Sequence, residues 1–65
     1  MIIVNGNKVY NADNIKLSEY LHREGYNTKL IAVECNNSII PKTDFEEKVL
    51  QDGDSLEVVS FVGGG

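Results

Sequence analysis

The 65-residue chain has no tryptophan, one cysteine, one proline and one histidine, and each scarcity closes off a class of protein. A single cysteine, Cys35, cannot form an internal disulfide, so a disulfide-stapled secreted scaffold is excluded and the reducing cytosol is the expected location. A zinc site needs three or four donors, and His22, flanked by Arg23 and Glu24, has no second His or Cys at ligand spacing. It reads as a solvated surface side chain, and no metal is expected. Basic residues are also few. Lys+Arg 6 against Asp+Glu 10 leaves a formal net charge of -4 and a pI near 4.7. That balance opposes phosphate neutralisation, so no nucleic acid is expected and a basic protein surface is the more natural complement. There is no apolar run of the length a signal peptide or membrane helix requires, so no membrane is expected.

What is present describes a small soluble domain. Hydrophobic residues make up 42% and charged residues 25% of the chain, the balance of a folded protein. A chain this short hides only about 60% of its extended surface, which leaves little room for a pocket lined by several catalytic groups. The opening "MIIVNGNKVY" places two β-rich runs, Ile2 to Val4 and Lys8 to Asn11, around Asn5-Gly6, a dipeptide that tolerates the positive φ angles of a tight hairpin. In "NADNIKLSEYLHREG", Leu17, Tyr20 and Leu21 recur at helical spacing before Gly25, predicting an amphipathic helix of about two turns. Such a helix is too short to stand alone and must lie on a sheet.

Ile31, Val33 and Cys35 alternate with Ala32 and Glu34, the period of a half-buried strand. Asn36-Asn37 offers a turn, and Ser38 to Ile40 a short return strand ended by Pro41. "TDFE" has the spacing of a capping box between Thr43 and Glu46, and "QDGD" reads as a β-turn about Gly53. The last strand, Ser55 to Phe61, puts Leu56 and Val58 on one face and Glu57, Val59 and Phe61 on the other. One helix cannot cover both faces, so Val59 and Phe61 should be partly exposed. The order of elements predicts an α+β fold, a β-grasp (ubiquitin-like) roll with a mixed sheet of four to five strands on one α-helix. A single domain should span residues 1–61, followed by a flexible glycine tail over 62–65.

Few constellations offer chemistry. Cys35 alternates in phase with Ile31 and Val33, and its neighbours Glu34 and Asn36 provide no cation to stabilise a thiolate, so it reads as a small hydrophobe. Asp52 and Asp54 lack the remaining ligands of a calcium loop. Glu46 and Glu47 are adjacent and point in different directions, unlike a paired acid and base. Tyr10, Tyr20 and Tyr26 are expected in the core or at its edge. No catalytic residue is assigned.

The ending "SFVGGG" is the exception. Glycine runs resist ordering, and these glycines follow directly from a strand and from the apolar residues Val59, Phe61 and Val62. A slim terminus beside a docking patch looks like a presented substrate. A free α-carboxylate is a poor acyl donor until its oxygen is turned into a leaving group, as attack on the α-phosphate of ATP would do. Without Cβ atoms, Gly63 and Gly64 can thread a narrow channel, and Val62 to Gly65 can reach about 13 Å at ~3.3 Å per residue.

The run "VECNNSIIP", the "DGD" turn at Asp52 to Asp54, the ending "EVVSFVGGG" and the "NG" of the hairpin together resemble the ThiS family, the sulfur carrier proteins of thiamine biosynthesis, over essentially the whole chain. The resemblance implies a β-grasp fold and a carrier that is not itself an enzyme. A ThiF/MoeB-like adenylating enzyme would use ATP and Mg²⁺ to activate Gly65, with neither bound stably by the carrier. A cysteine desulfurase or related donor would then replace AMP by sulfur, and the resulting thiocarboxylate would serve thiazole synthase (ThiG). By position, Gly65 would be the modified residue, Gly63 and Gly64 the tail in the partner's active site, and Val59, Phe61 and Val62 the partner-binding strand. The free carrier is expected to be a monomer. Two departures stand out: Gly63 adds a third glycine to the customary pair, and Cys35 stands where an aliphatic residue is usual. Two alternatives stay open at this point: a carrier supplying molybdopterin or tRNA thiolation, and a plain ubiquitin-like binding module with an inert tail.

Overall fold

The computed structural model describes residues 1–61. Five strands and one α-helix form in the order β1 (Ile2–Val4), β2 (Asn7–Val9), α1 (Leu17–Arg23), β3 (Ile31–Cys35), β4 (Ser38–Ile39) and β5 (Ser55–Ser60), with short 3₁₀ turns at Thr28–Leu30 and Lys42–Asp44. Asparagine makes most of the corners. Asn5 and Gly6 take φ of 51° and 84°, and Asn36 and Asn37 take 52° and 71°, so each hairpin turns on two residues in the left-handed region. This conformation matches the twist of the flanking strands, and asparagine tolerates it where most side chains do not.

The strands assemble in the order β2-β1-β5-β3-β4. β5, last in the chain, is therefore central: it runs parallel to β1 and antiparallel to β3. With the helix laid across one face, this is the β-grasp arrangement. The core is Ile2 and Val4 of β1, Leu17, Tyr20 and Leu21 of α1, Ile31, Val33 and Cys35 of β3, and Leu56 of β5, closed by Ala12, Phe45 and Leu50. Leu50 belongs to no regular element yet is fully buried. Its N–H donates to the Ile15 carbonyl and its own carbonyl accepts from Asn14, so the long loop is stitched to the helix entry.

The helix ends as its sequence predicts. Gly25, at φ 81°, lets Tyr26 N–H reach the Leu21 carbonyl and Gly25 N–H the His22 carbonyl, while Tyr26 packs against the core. Its beginning is capped from a distance. Lys16 makes no side-chain cap; the N–H groups of Leu17 and Ser18 donate to the carbonyls of Lys48 and Phe45. This satisfies donors that a short helix otherwise leaves to water.

Three sequence expectations are corrected. The second strand ends at Val9 and not Asn11, because pairing starts at once with Val4↔Asn7 and Asn11 adopts φ 66°. Tyr10 lies just past that edge strand on the side opposite Val9, and at 65% exposure it is a surface residue. Tyr20 is buried and Tyr26 half-buried, as expected. The Thr43–Glu46 capping box does not form. The 3₁₀ turn starts right after Pro41, whose extended backbone is its N-terminal flank with no side-chain cap, so Thr43 lies inside the turn. Proline's fixed φ starts the turn ahead of the threonine.

Candidate functional site: the outer end of the central strand

Because β5 alternates, Leu56 faces the core while Glu57 and Val59 face outward, and Phe61, one residue past the strand's end at Ser60, is exposed in the same phase. Val59 is 55% and Phe61 58% exposed, as the pattern of this strand predicted. Val62, Gly63, Gly64 and Gly65 lie outside the described residues. The sheet adds residues that strand periodicity alone did not single out. Val59 is registered against Ala32, and Phe61 N–H donates to the Leu30 carbonyl at 2.7 Å. Leu30 is exposed, and so is Ile39, which is registered against Glu34 on the far side of β3. Leu30, Val59 and Phe61 thus form an open apolar strip, and Ile39 stands apart from it at the end of the row Ile39–Glu34–Glu57. Leu30 carries no signal in strand periodicity, because it precedes β3 and meets Phe61 only once β3 and β5 are neighbours.

Acid borders this strip. Glu34 and Glu57 are directly registered on neighbouring strands, both exposed, and neither forms an ion pair among the described residues. Like charges facing each other in a sheet are unfavourable, by about 0.2–1 kcal/mol. A partner with an apolar contact surface and a neighbouring Lys or Arg would cover the strip and relieve the pair.

The base of β5 is built from polar clasps. Asp54, nearly buried, accepts from the Asn36 amide at 3.0 Å and from Gln51 N–H at 2.9 Å, while Asn36 Oδ1 accepts from Ser55 N–H at 3.0 Å. Asp52 instead holds the Met1 amino group at 2.7 Å, which Asp13 also holds at 2.9 Å. These hydrogen bonds, first from Asp52 and then from Asp13, raise the amino group above its ordinary value of 8.0, and the same contact lowers Asp52. The two aspartates of the "DGD" turn are thus committed to different structural partners, about a Gly53 at φ 90°.

Cys35 is buried, as its phase predicted. Burial first, and then the neighbouring Asp54 carboxylate, push its thiol above the usual range. Thiolate chemistry at this position is therefore disfavoured. His22 is exposed on α1. Among the described residues no cavity opens and no group of three metal-ligating side chains is gathered. No described helix is long and apolar enough to cross a membrane.

Comparison with known proteins bears on this geometry. The sequence matches the ThiS family over residues 2–65. It is 36% identical over 66 residues to the sulfur carrier protein ThiS of Bacillus subtilis, covering all of both chains. It is 33% identical over 64 residues to a thiazole synthase of Paramagnetospirillum magneticum, where it covers 98% of this chain but spans 20% of that protein. The fold superposes on the crystal structure of the thiamine biosynthesis protein ThiS from Geobacter metallireducens with a TM-score of 0.78 at 28% identity, covering 98% of this chain and 97% of that one. A match that runs through the strip and the glycines alike, joined to the same fold, places the chain in a family: it belongs to the ThiS family.

Proposed function

We propose that the protein is a sulfur carrier whose Gly65 carboxylate is the acyl group that is loaded and unloaded. The observation that carries this reading is the family match over residues 2–65, which includes both the apolar end of β5 and the terminal glycines. The fold supports it, because an exposed strip on a central strand leads directly to those glycines.

The chemistry follows from the acid. A ThiF/MoeB-like partner binds ATP and Mg²⁺, and a carboxylate oxygen of Gly65 attacks the α-phosphorus, releasing pyrophosphate and leaving an acyl adenylate. A persulfide from a cysteine desulfurase or related donor attacks the carbonyl and displaces AMP. A second thiol then attacks the donor's cysteine sulfur, so that this sulfur leaves in a disulfide and the transferred sulfur remains on Gly65 as the thiocarboxylate. Thiazole synthase is the consumer. The likeness of this chain to one fifth of a thiazole synthase supports that pairing. The carrier's own part is docking through Val59, Phe61 and Val62, and presentation of a terminus slim enough for another protein's active site. It acts as a protein substrate in the cytosol, and Gly63 and Gly64 lie in the partner's channel.

The test is to incubate the protein with an adenylating enzyme, ATP, Mg²⁺ and a sulfur donor and measure exact mass. Exchange of one oxygen for one sulfur has nearly the same mass change as oxidation of Met1 or Cys35, so fragmentation must locate it at Gly65. A chain lacking Gly64 and Gly65 should fold and dock but stay unmodified. An unmodified full-length protein, beside a known carrier converted in parallel, overturns the reading.

A further inference from the structure

The flanks of β5 are held unequally. On the β3 side its register runs from Leu56 to Ser60 and continues in the Phe61–Leu30 hydrogen bond. On the β1 side the ladder stops at Val4↔Leu56, where Asn5 N–H donates to the Leu56 carbonyl at 2.9 Å. The next rung is a side chain. Asn5 Oδ1 accepts from Val58 N–H at 2.8 Å, and Asn5 Nδ2 donates to the Val58 carbonyl at 3.3 Å. The carboxamide thus stands in for a backbone peptide and pairs both polar groups of Val58. Beyond it, the described residues hold no further hydrogen bond to β5 on that flank.

The hairpin alone does not require this residue. Its corner needs a positive φ, which glycine or aspartate also supplies. Pairing an N–H and a carbonyl at once needs an acceptor and a donor on one short side chain. Aspartate would present an oxygen to the Val58 carbonyl, and glycine would present nothing. Asn36 repeats the device at the other end of β5, bonding Ser55 N–H and Asp54. The two hairpin corners therefore grip the central strand from opposite sides, and Asn5 is the grip nearer to Gly65.

We propose that Asn5 is a positioning residue for acyl activation: by holding Val58 it sets the direction in which β5 delivers the glycines. This inference rests on the carrier function proposed above. Docking would use the outer face, which Asn5 does not form, so its loss should leave binding intact and disturb the approach of the carboxylate to its reaction partner. Misplacement at that step lowers turnover and leaves KM largely unmoved.

The experiment compares Asn5→Gly and Asn5→Asp, both compatible with the turn, in steady-state activation by an adenylating enzyme with ATP and Mg²⁺. Amide exchange at Val58 and ¹⁵N relaxation at Ser60 and Phe61 are recorded alongside. The expected result is faster Val58 exchange in Asn5→Gly, where the acceptor is lost, and in both variants increased motion at Ser60 and Phe61, a kcat lower by about tenfold and a KM within about twofold. An unchanged kcat with a loosened Val58 amide would reduce Asn5 to a structural rung. A raised KM at unchanged kcat would assign it to docking. Either outcome overturns the proposal. If the wild-type chain is not activated at all, the carrier function fails separately, and unchanged relaxation at Ser60 and Phe61 in both variants would then refute the grip itself.

Discussion

Replacing Val59 and Phe61 together by alanine asks whether the outer end of β5 is the docking surface. Complete burial of a phenylalanine or valine side chain is worth about 1.5–3 kcal/mol. With 58% of Phe61 and 55% of Val59 still open to water, roughly half of that remains to be gained when a partner covers them. For the pair this amounts to about 2.5 kcal/mol, or on the order of 60-fold in affinity. The entropy of immobilising two proteins is common to variant and wild type, so the difference escapes the largest uncertainty in converting area to affinity. Incomplete coverage by the partner would reduce the effect to about tenfold. The assay is KM for activation by the adenylating enzyme, with urea unfolding as the control. The remaining two-fifths or so of each side chain is already buried in the fold, so stability should fall by about 1 kcal/mol for each, a loss that leaves unfolding cooperative. A double variant that unfolds cooperatively and keeps KM within about threefold would refute the assignment of this face.

Glu57→Gln removes a like-charge contact with Glu34, so it should raise stability by about 0.2–1 kcal/mol while weakening docking. Denaturant midpoints and the salt dependence of KM read the two effects separately. The Met1 amino group, raised by Asp52 and Asp13, should contribute stability fully below its unfolded value of 8.0 and lose that contribution as pH rises through its higher folded value. Asp52 is lowered from 3.8, so its share is present above that pH and is lost as acid reaches its depressed folded value. The difference in urea midpoint between the native and Nα-acetylated proteins should therefore be widest between these limits and shrink beyond both. Cys35 should resist iodoacetamide in the folded protein and react in urea. Cys35→Ala should lower stability, by about 1 kcal/mol for the lost buried sulfur, yet still accept sulfur at Gly65. Loss of sulfur loading in a folded Cys35→Ala protein would show that the thiol takes part.

Local rules carried the elements whose partners are close in sequence. Asn5-Gly6, Asn36-Asn37 and Gly25 act through their own backbone angles, and Leu17, Tyr20 and Leu21 share one face of their helix, so each was legible. The exposed phase of Val59 and Phe61 followed from alternation and from counting a single helix. Failures came where a distant group satisfied a local need. Carbonyls of Phe45 and Lys48 cap α1, leaving no sign in the residues before it. Pro41 set the start of the 3₁₀ turn in place of Thr43. Leu30 joined the apolar strip through strand order, and the side chain of Asn5 reaches Val58 from the opposite end of the chain. The "NG" motif reports the turn and says nothing of this second use.

The placement of β5 joins these observations into one constraint. The described core is made from few side chains, and among the described residues no cavity opens. What a rigid small domain can supply is a fixed relation between a surface and an end. An edge strand held on one flank could swing about its single neighbour, whereas the central strand is gripped by β3 along its length and by β1 and Asn5 on the other side. In the proposed complex, with Val59 and Phe61 seated, the acid of Gly65 would lie within about 13 Å of the Phe61 backbone, the reach of four extended residues. Docking of this kind would confine the carboxylate to a small volume, and the proposed reaction would become effectively intramolecular before any bond is made.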